Sequence, residues 1–440
     1  MTRRLSAPRL IILGFAVFMA LGVLMLKLPL STYEGISWVD ALFVSVSAVS
    51  VTGLSSVDFS GTFTAFGSTA IMFLIQVGGI GIMTFATLTA LLIGRRVGFR
   101  NLIAAREELG SIDSPRNTVR LISQIAGITL VVEGLGAAVL AFGFIVGGLR
   151  YGEGLYQAVF HAIMAFCNSG FNTLSSDGLS QYAGNPAVNL ALIALIILGG
   201  LGFPVLVNLY YYRRMRRLTL HAKLVLITTV GLIACGALSV ALLEWSNPAT
   251  LGGQPTGTRI WMSLFQGVTP RTAGFSTVDY SQMREATLFV QVGLMFVGTA
   301  PSSTGGGVRV TTLALLVLVV LALMRGQDEV SAFGRRIPRI IIQKTLAVLS
   351  ASALLVIVAT IAIMVADGLR LLPALFEVTS AFGTVGLSME VSQSLSTFAK
   401  LVLIGVMFWG RVGTITLILA LSARQRTKGY SYPQEDIAIG

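Results

Sequence analysis

Gly53, Gly170, Gly274 and Gly386 each sit in a short turn of one design. The turns read Ser50-Val51-Thr52-Gly53-Leu54-Ser55, Cys167-Asn168-Ser169-Gly170-Phe171-Asn172, Arg271-Thr272-Ala273-Gly274-Phe275-Ser276 and Gly383-Thr384-Val385-Gly386-Leu387-Ser388. Leu or Phe follows each glycine, then Ser or Asn, and a phenylalanine (Phe43, Phe160, Phe265 or Phe376) stands nine or ten residues before it. Turns of this kind can replace the water around a monovalent cation with rings of backbone carbonyls. Glycine reaches the positive or strained dihedrals that turn those oxygens inward. The carbonyl-bearing segments are then Val51-Thr52-Gly53, Asn168-Ser169-Gly170, Thr272-Ala273-Gly274 and Thr384-Val385-Gly386. A lone glycine turn is ordinary punctuation. Four of them, 117, 104 and 112 residues apart, predict one pore-lining quarter repeated around a single pore.

Three further features carry chemistry. Gly298-Thr299-Ala300-Pro301-Ser302-Ser303-Thr304-Gly305-Gly306-Gly307 interrupts an apolar run with proline, hydroxyl residues and three glycines, which cannot hold continuous helix. Irregular chain at membrane depth must line a wet path or be buried in protein. An intramembrane gate loop beneath the turns is expected, with Arg309 anchoring its end; a static kink is the alternative. Arg411 interrupts Trp409-Gly410-Arg411-Val412-Gly413, where the second quarter has Leu198-Gly199-Gly200-Leu201-Gly202 and the first has Val77-Gly78-Gly79-Ile80-Gly81. A mid-membrane arginine costs at least about 2.5 kcal/mol and turns to water or a partner. Arg411 is expected to face the conduit and temper cation flow, with snorkelling to the interface as the alternative. Lastly, Asp58, Asp177, Asp279 and Glu390 follow their glycines by four to seven residues. Any solvated loop carries acids, yet four in equivalent places suit a cation-concentrating outer mouth. Glu133, the lone acid within a span, pairs either with a pore arginine or within its own helix.

The elements that must hold these residues are apolar. Of 440 residues 54% are hydrophobic and 11% charged, and the mean hydropathy is +0.83, which marks an integral membrane protein. The first run, from Leu10, follows Arg3-Arg4 but lacks a small-x-small cleavage site at the right distance, so an uncleaved spanning helix is expected. Each quarter then repeats an apolar span, a stretch of 8 to 12 residues too short to cross, the glycine turn, a polar patch and a second span. The expected fold is all-α and membrane-integral: eight transmembrane helices and four re-entrant half-helices in four helix–pore-loop–helix repeats about one pseudo-fourfold pore. The repeats are 1–94 (turn 50–55), 119–213 (turn 167–172), 220–325 (turn 271–276, gate loop 298–309) and 338–424 (turn 383–388), before a cytoplasmic tail 425–440. Only the third quarter is expected to break its second span.

Net charge is +12, and 22 of the 31 Lys and Arg fall in alternate connections, which places those connections and both termini in the cytoplasm. That distribution leaves no need for a nucleic-acid partner. Cys167 and Cys235 make no disulfide framework, His161 and His221 form no metal-ligand pair, and no nucleotide-binding motif occurs, so an intramembrane enzyme is disfavoured and no cofactor is expected in this chain.

The glycine turns, the glycine-rich interruption and Arg411 together resemble the Trk/Ktr/HKT superfamily of potassium transporters, over almost the whole chain. Thr384-Val385-Gly386 also opens the TVGYG filter of tetrameric potassium channels. With eight spans and no extra amino-terminal pair, the likeness is strongest to the membrane subunits of bacterial Ktr systems. The resemblance implies potassium uptake across a bacterial inner membrane and K+ at the filter carbonyls of Gly53, Gly170, Gly274 and Gly386. It implies a homodimer with one pore per protomer and a cytosolic regulatory ring of nucleotide-binding, KtrA-type subunits acting on the gate loop. Activation by Na+ is implied likewise, although no residue here points to it. In plant relatives a serine at the first filter glycine goes with sodium preference, so Gly53 argues for potassium. A secondary transporter with broken helices is the competing reading, but it predicts two halves rather than four quarters of one polarity.

Overall fold

The computed structural model describes residues 7–92, 103, 105, 115–174, 178–327 and 329–414. Four long helices lead the quarters: Ala7–Leu26, Pro115–Val146, Leu220–Glu244 and Arg339–Asp367. Each carries a stretch long and apolar enough to cross a bilayer. Exposed side chains along them, such as Leu24, Leu130, Val230, Leu242 and Ile361, are aliphatic, as a lipid-facing surface requires. The protein is a multi-pass membrane protein.

Behind each leading helix comes a short one: Trp38–Val49, Tyr151–Cys167, Thr256–Val268 and Leu371–Gly383. Every short helix runs directly into a glycine turn, so its unsatisfied C-terminal carbonyls and negative dipole end point at that turn. Phe43, Phe160, Phe265 and Phe376 are at most 1% exposed, and they anchor the short helices in the core. Return helices follow at Ala65–Ile80, Pro186–Gly200, Glu285–Phe296 and Thr397–Val412. Side-chain caps start three of them, at Thr64, Asn185 and Ser396.

Packing closes these twelve helices into a ring. Each leading helix lies on the short helix of its own quarter. Each return helix packs on the short helix of the next quarter, first on second, second on third, third on fourth and fourth back on first. Lys400 of the last return helix meets Asp40 of the first short helix at 2.7 Å, which ties the closing junction.

The structure corrects the expectation of straight second spans. The first return helix bends by 101° into the helix beyond it, with Gly81 at φ 98°, and the second bends by 104° at Gly202, φ 84°. The fourth ends at Val412 before Gly413, φ 87°. The third is split by residues 297–309 and resumes at Val310–Met324. Three return helices therefore break and the fourth ends at Val412, where the sequence suggested a single break. Among the described residues four helices can cross a membrane unbroken, or six if each bent pair counts as one span. The physical reason is local: a positive φ ends helical hydrogen bonding, and glycine takes it without steric penalty.

Candidate functional site

The four glycine turns meet. A Cβ placed on Gly53 would strike the backbone of Gly170, and one on Gly170 would lie 2.5 Å from Gly274 Cα. One on Gly274 would strike Val385 O and the Gly170 backbone; one on Gly386 would strike Thr52 O and approach Gly53 Cα and Gly274 Cα at 3.2 and 3.3 Å. Four chain segments thus converge so tightly that only glycine fits, and the Thr52 and Val385 carbonyl oxygens lie against neighbouring glycines. Gly53, Gly274 and Gly386 have φ of 89°, 73° and 92°; Gly170 does not share the positive φ and is glycine for space alone.

Two residues before each glycine the chain is left-handed without being glycine: Val51 φ 60°, Asn168 φ 60°, Thr272 φ 67° and Thr384 φ 51°. Such a conformation costs an ordinary residue about 1–2 kcal/mol and a β-branched one is a clear outlier. Fourfold repetition of the same outlier marks it as imposed by the ring. Residues 51–53, 168, 169, 272, 273, 384 and 385 are buried while Gly170, Gly274 and Gly386 are half-buried, and the Asn168 side chain hydrogen-bonds the Thr272 hydroxyl across two quarters at 3.2 Å.

Glycines on the return helices let those helices touch the short ones. Cβ atoms on Gly78, Gly199 and Gly410 would strike Val49 O, Phe166 O and Phe382 O, each in the last turn of a short helix. The repeated glycine is therefore a packing device that seats three of the four return helices beneath their own turns.

The loop 298–307 lies directly against this floor. Cβ atoms on Gly305 and Gly306 would meet the hydroxyls of Thr272 and Thr384. Backbone bonds hold the loop to the second quarter (Ala300 N to Gly200 O, 3.0 Å) and to the fourth (Gly307 N to Gly410 O, 3.3 Å), and Ser302 O accepts from Phe203 N at 3.0 Å. Thr304 Oγ1 donates to Phe166 O at 3.2 Å, and Ser303 Oγ bonds Thr299 Oγ1 and Ala300 O. The Arg309 guanidinium donates to Gly305 O at 2.6 Å. Arg411 donates to Thr304 O in the loop and to Gly78 O in the first quarter, so one side chain bridges three quarters. Arg411 lies in the last turn of its helix, not in the middle as the apolar run suggested, and it is buried rather than snorkelling.

Residues 18–428 match the TrkH family, described as cation transport protein. This chain belongs to that family. It is 38% identical to Ktr system potassium uptake protein B of Bacillus subtilis (strain 168), over 99% of this chain and 97% of the relative. It is 35% identical to the protein of the same name in Vibrio alginolyticus, over 98% and 95%. Potassium/sodium uptake protein NtpJ of Enterococcus hirae is 34% identical over 100% and 98%. The crystal structure of the potassium transporter TrkH from Vibrio parahaemolyticus superposes with a TM-score of 0.70 at 21% identity, covering 93% of this chain and 83% of that one, and shares the fold.

In this TrkH-family chain two of the four outer acids, Asp279 and Glu390, line one cavity. A mouth of about 300 Å³ above the turns is lined by Gly170, Gly274, Gly386, Asp279 and Glu390, among others. Asp58 is not in that lining, because its carboxylate caps residues 59–62 by accepting from Gly61 N at 3.1 Å. Asp177 lies outside the described residues, as do the tail 425–440 and much of the basic connection 93–114. Glu133 accepts from Gln76 Nε2 of the first return helix at 3.1 Å. Sequence reasoning missed His161, Gln266 and Glu377, which follow three of the anchoring phenylalanines and hydrogen-bond the chain just beyond the turns. Their signal was present as polar residues inside otherwise apolar short helices.

Proposed function

We propose that this chain is the ion-translocating membrane subunit of a bacterial potassium uptake system, passing K+ through a four-segment carbonyl filter and past an intramembrane gate loop. The observation that carries this reading is the convergence of Gly53, Gly170, Gly274 and Gly386, with the Thr52 and Val385 carbonyls held among them. Only main-chain oxygen and glycine fit at such a centre, and dehydrated monovalent cations are the ligands that oxygen rings suit. Four short-helix C-termini add partial negative charge at the same point. The relatives named potassium uptake proteins support potassium as the cargo.

In this mechanism a hydrated cation enters the mouth beside Asp279 and Glu390, exchanges water for the carbonyls of residues 51–53, 168–170, 272–274 and 384–386, and then meets the loop 298–307. Arg411 holds that loop shut through Thr304 and sets a positive charge below the filter. Both termini lie in the cytoplasm, the site being a bacterial inner membrane. The likeness to Ktr proteins supports a homodimer with one pore per protomer, a KtrA-type nucleotide-binding ring acting on the loop, and activation by Na+. Reconstituted protein is expected to take up Rb+ in competition with K+ and to rescue a potassium-uptake-deficient bacterium at low external potassium. Gly53→Ser or Gly386→Ser should reduce K+ preference over Na+ by tenfold or more. Retention of wild-type ion preference in both variants overturns the filter assignment.

A further inference from the structure

Behind three of the four turns, one side chain of the short helix fastens the chain that leaves the filter. It is always the residue after the anchoring phenylalanine. His161 Nε2 pairs with Asn172 Oδ1 at 2.9 Å. Gln266 donates to Ser276 Oγ at 3.1 Å and Thr277 Oγ1 at 3.2 Å, and its Oε1 accepts from Tyr280 OH at 2.7 Å. Glu377 accepts from Ser388 Oγ, from Met389 N at 3.1 Å and from Ser392 Oγ at 2.7 Å. Asn172, Ser276 and Ser388 are each the second residue after a filter glycine. This gives a purpose to the Ser or Asn that recurs there. The first quarter differs: Val44 stands at the helical position, Ser55 Oγ donates to Val57 O at 2.7 Å, and the chain leaving the turn is held from a different place on the short helix, Asp40 Oδ1 accepting from Ser56 Oγ at 2.7 Å.

We propose that Glu377, Gln266 and His161 are positioning residues that set ion discrimination by fixing the outer ends of three filter segments. The inference rests on the filter reading above. The three side chains are buried, with Glu377, Gln266 and His161 at 0% exposure, so no solvent competes for these bonds. Glu377 is the strongest strap because a carboxylate accepts all three of its bonds without offering a donor. Its partners lie at residues 388, 389 and 392, past the carbonyl-bearing segment 384–386. A carbonyl ring discriminates between K+ and Na+ only while its oxygens resist closing around the smaller ion, and the straps supply that resistance from outside.

The experiment measures Rb+ and Na+ uptake ratios in proteoliposomes for wild type, Glu377→Gln, Ser392→Ala, Gln266→Leu and Val44→Thr, with membrane yield and melting temperature recorded for each. Glu377→Gln replaces one acceptor oxygen by a donor and is expected to lower the Rb+/Na+ ratio at least fivefold. Ser392→Ala, which leaves the carboxylate in place, should lower it twofold to threefold, while Val44→Thr, in the quarter whose strap comes from Asp40 instead, should leave it unchanged. Should Glu377→Gln fail to fold, Ser392→Ala and Gln266→Leu carry the test. Variants that lose flux or stability with an unaltered ratio overturn the inference and reduce these residues to helix packing. A wild-type protein without Rb+ preference would instead overturn the filter reading itself.

Discussion

Replacing Arg411 by glutamine tests how the loop is held. In the structure the guanidinium donates to Thr304 O of the loop and to Gly78 O of the first quarter. A hydrogen bond from a charged group contributes about 1.5–3 kcal/mol net. Of these two bonds the one to Thr304 fastens the loop directly, and its loss should shift the loop's equilibrium towards release by roughly 10- to 100-fold. Arg309 on Gly305 O and the backbone bonds to Gly200 and Gly410 remain, which limits the effect to partial opening. Glutamine keeps an amide donor and removes the charge; Arg411→Lys keeps the charge and loses the two-pronged reach. We therefore expect Rb+ uptake into proteoliposomes to rise several-fold in Arg411→Gln, and less in Arg411→Lys. Loop release can be read separately by thiol labelling of Ser303→Cys in a Cys235→Ser background, because Ser303 is 8% exposed and Cys167 is buried. Uptake and labelling both at wild-type levels in Arg411→Gln would refute the tether.

Gly170→Ala isolates sterics from backbone strain, because Gly170 lacks the positive φ of its three counterparts. Its Cβ would sit 2.5 Å from Gly274 Cα, and overpacking of that kind costs about 1–3 kcal/mol, so uptake should fall at least tenfold at normal membrane yield; wild-type uptake would show that the ring has room. At the closing junction, Asp40 and Lys400 are 18% and 13% exposed at 2.7 Å. A double-mutant cycle of Asp40→Asn and Lys400→Met, followed by thermal unfolding in detergent, should return a coupling of about 1 kcal/mol, and zero coupling would mean that the ring closes by helix packing alone.

The long leading helices were legible because crossing a bilayer needs a count of apolar residues and little else. The four turns could be read because glycine, phenylalanine and a small polar residue recur at one spacing. The bends at Gly81 and Gly202 could not. Hydropathy runs unchanged through a bend, and glycine is common in straight membrane helices, so only the observed φ separates the two cases. Arg411 was placed too deep for the same reason, since its helix stops one residue later. Asp58 occupies the equivalent place in its quarter, yet a carboxylate three residues before a backbone N–H can cap a turn, and this one does. The polar residues at 161, 266 and 377 went unread because their partners lie 10 to 15 residues further on, beyond any helical period.

One polypeptide supplies every wall of the ring. A coding change in a homotetramer is written into four walls together, whereas here it touches one. The walls have accordingly diverged, with valine, histidine, glutamine and glutamate standing at the same station around the circle. Such a lopsided ring can be graded, one wall at a time, from one defect to four. On the filter reading proposed above, the chain thereby offers a dosage series for ion preference that a symmetric assembly would need concatenated genes to match.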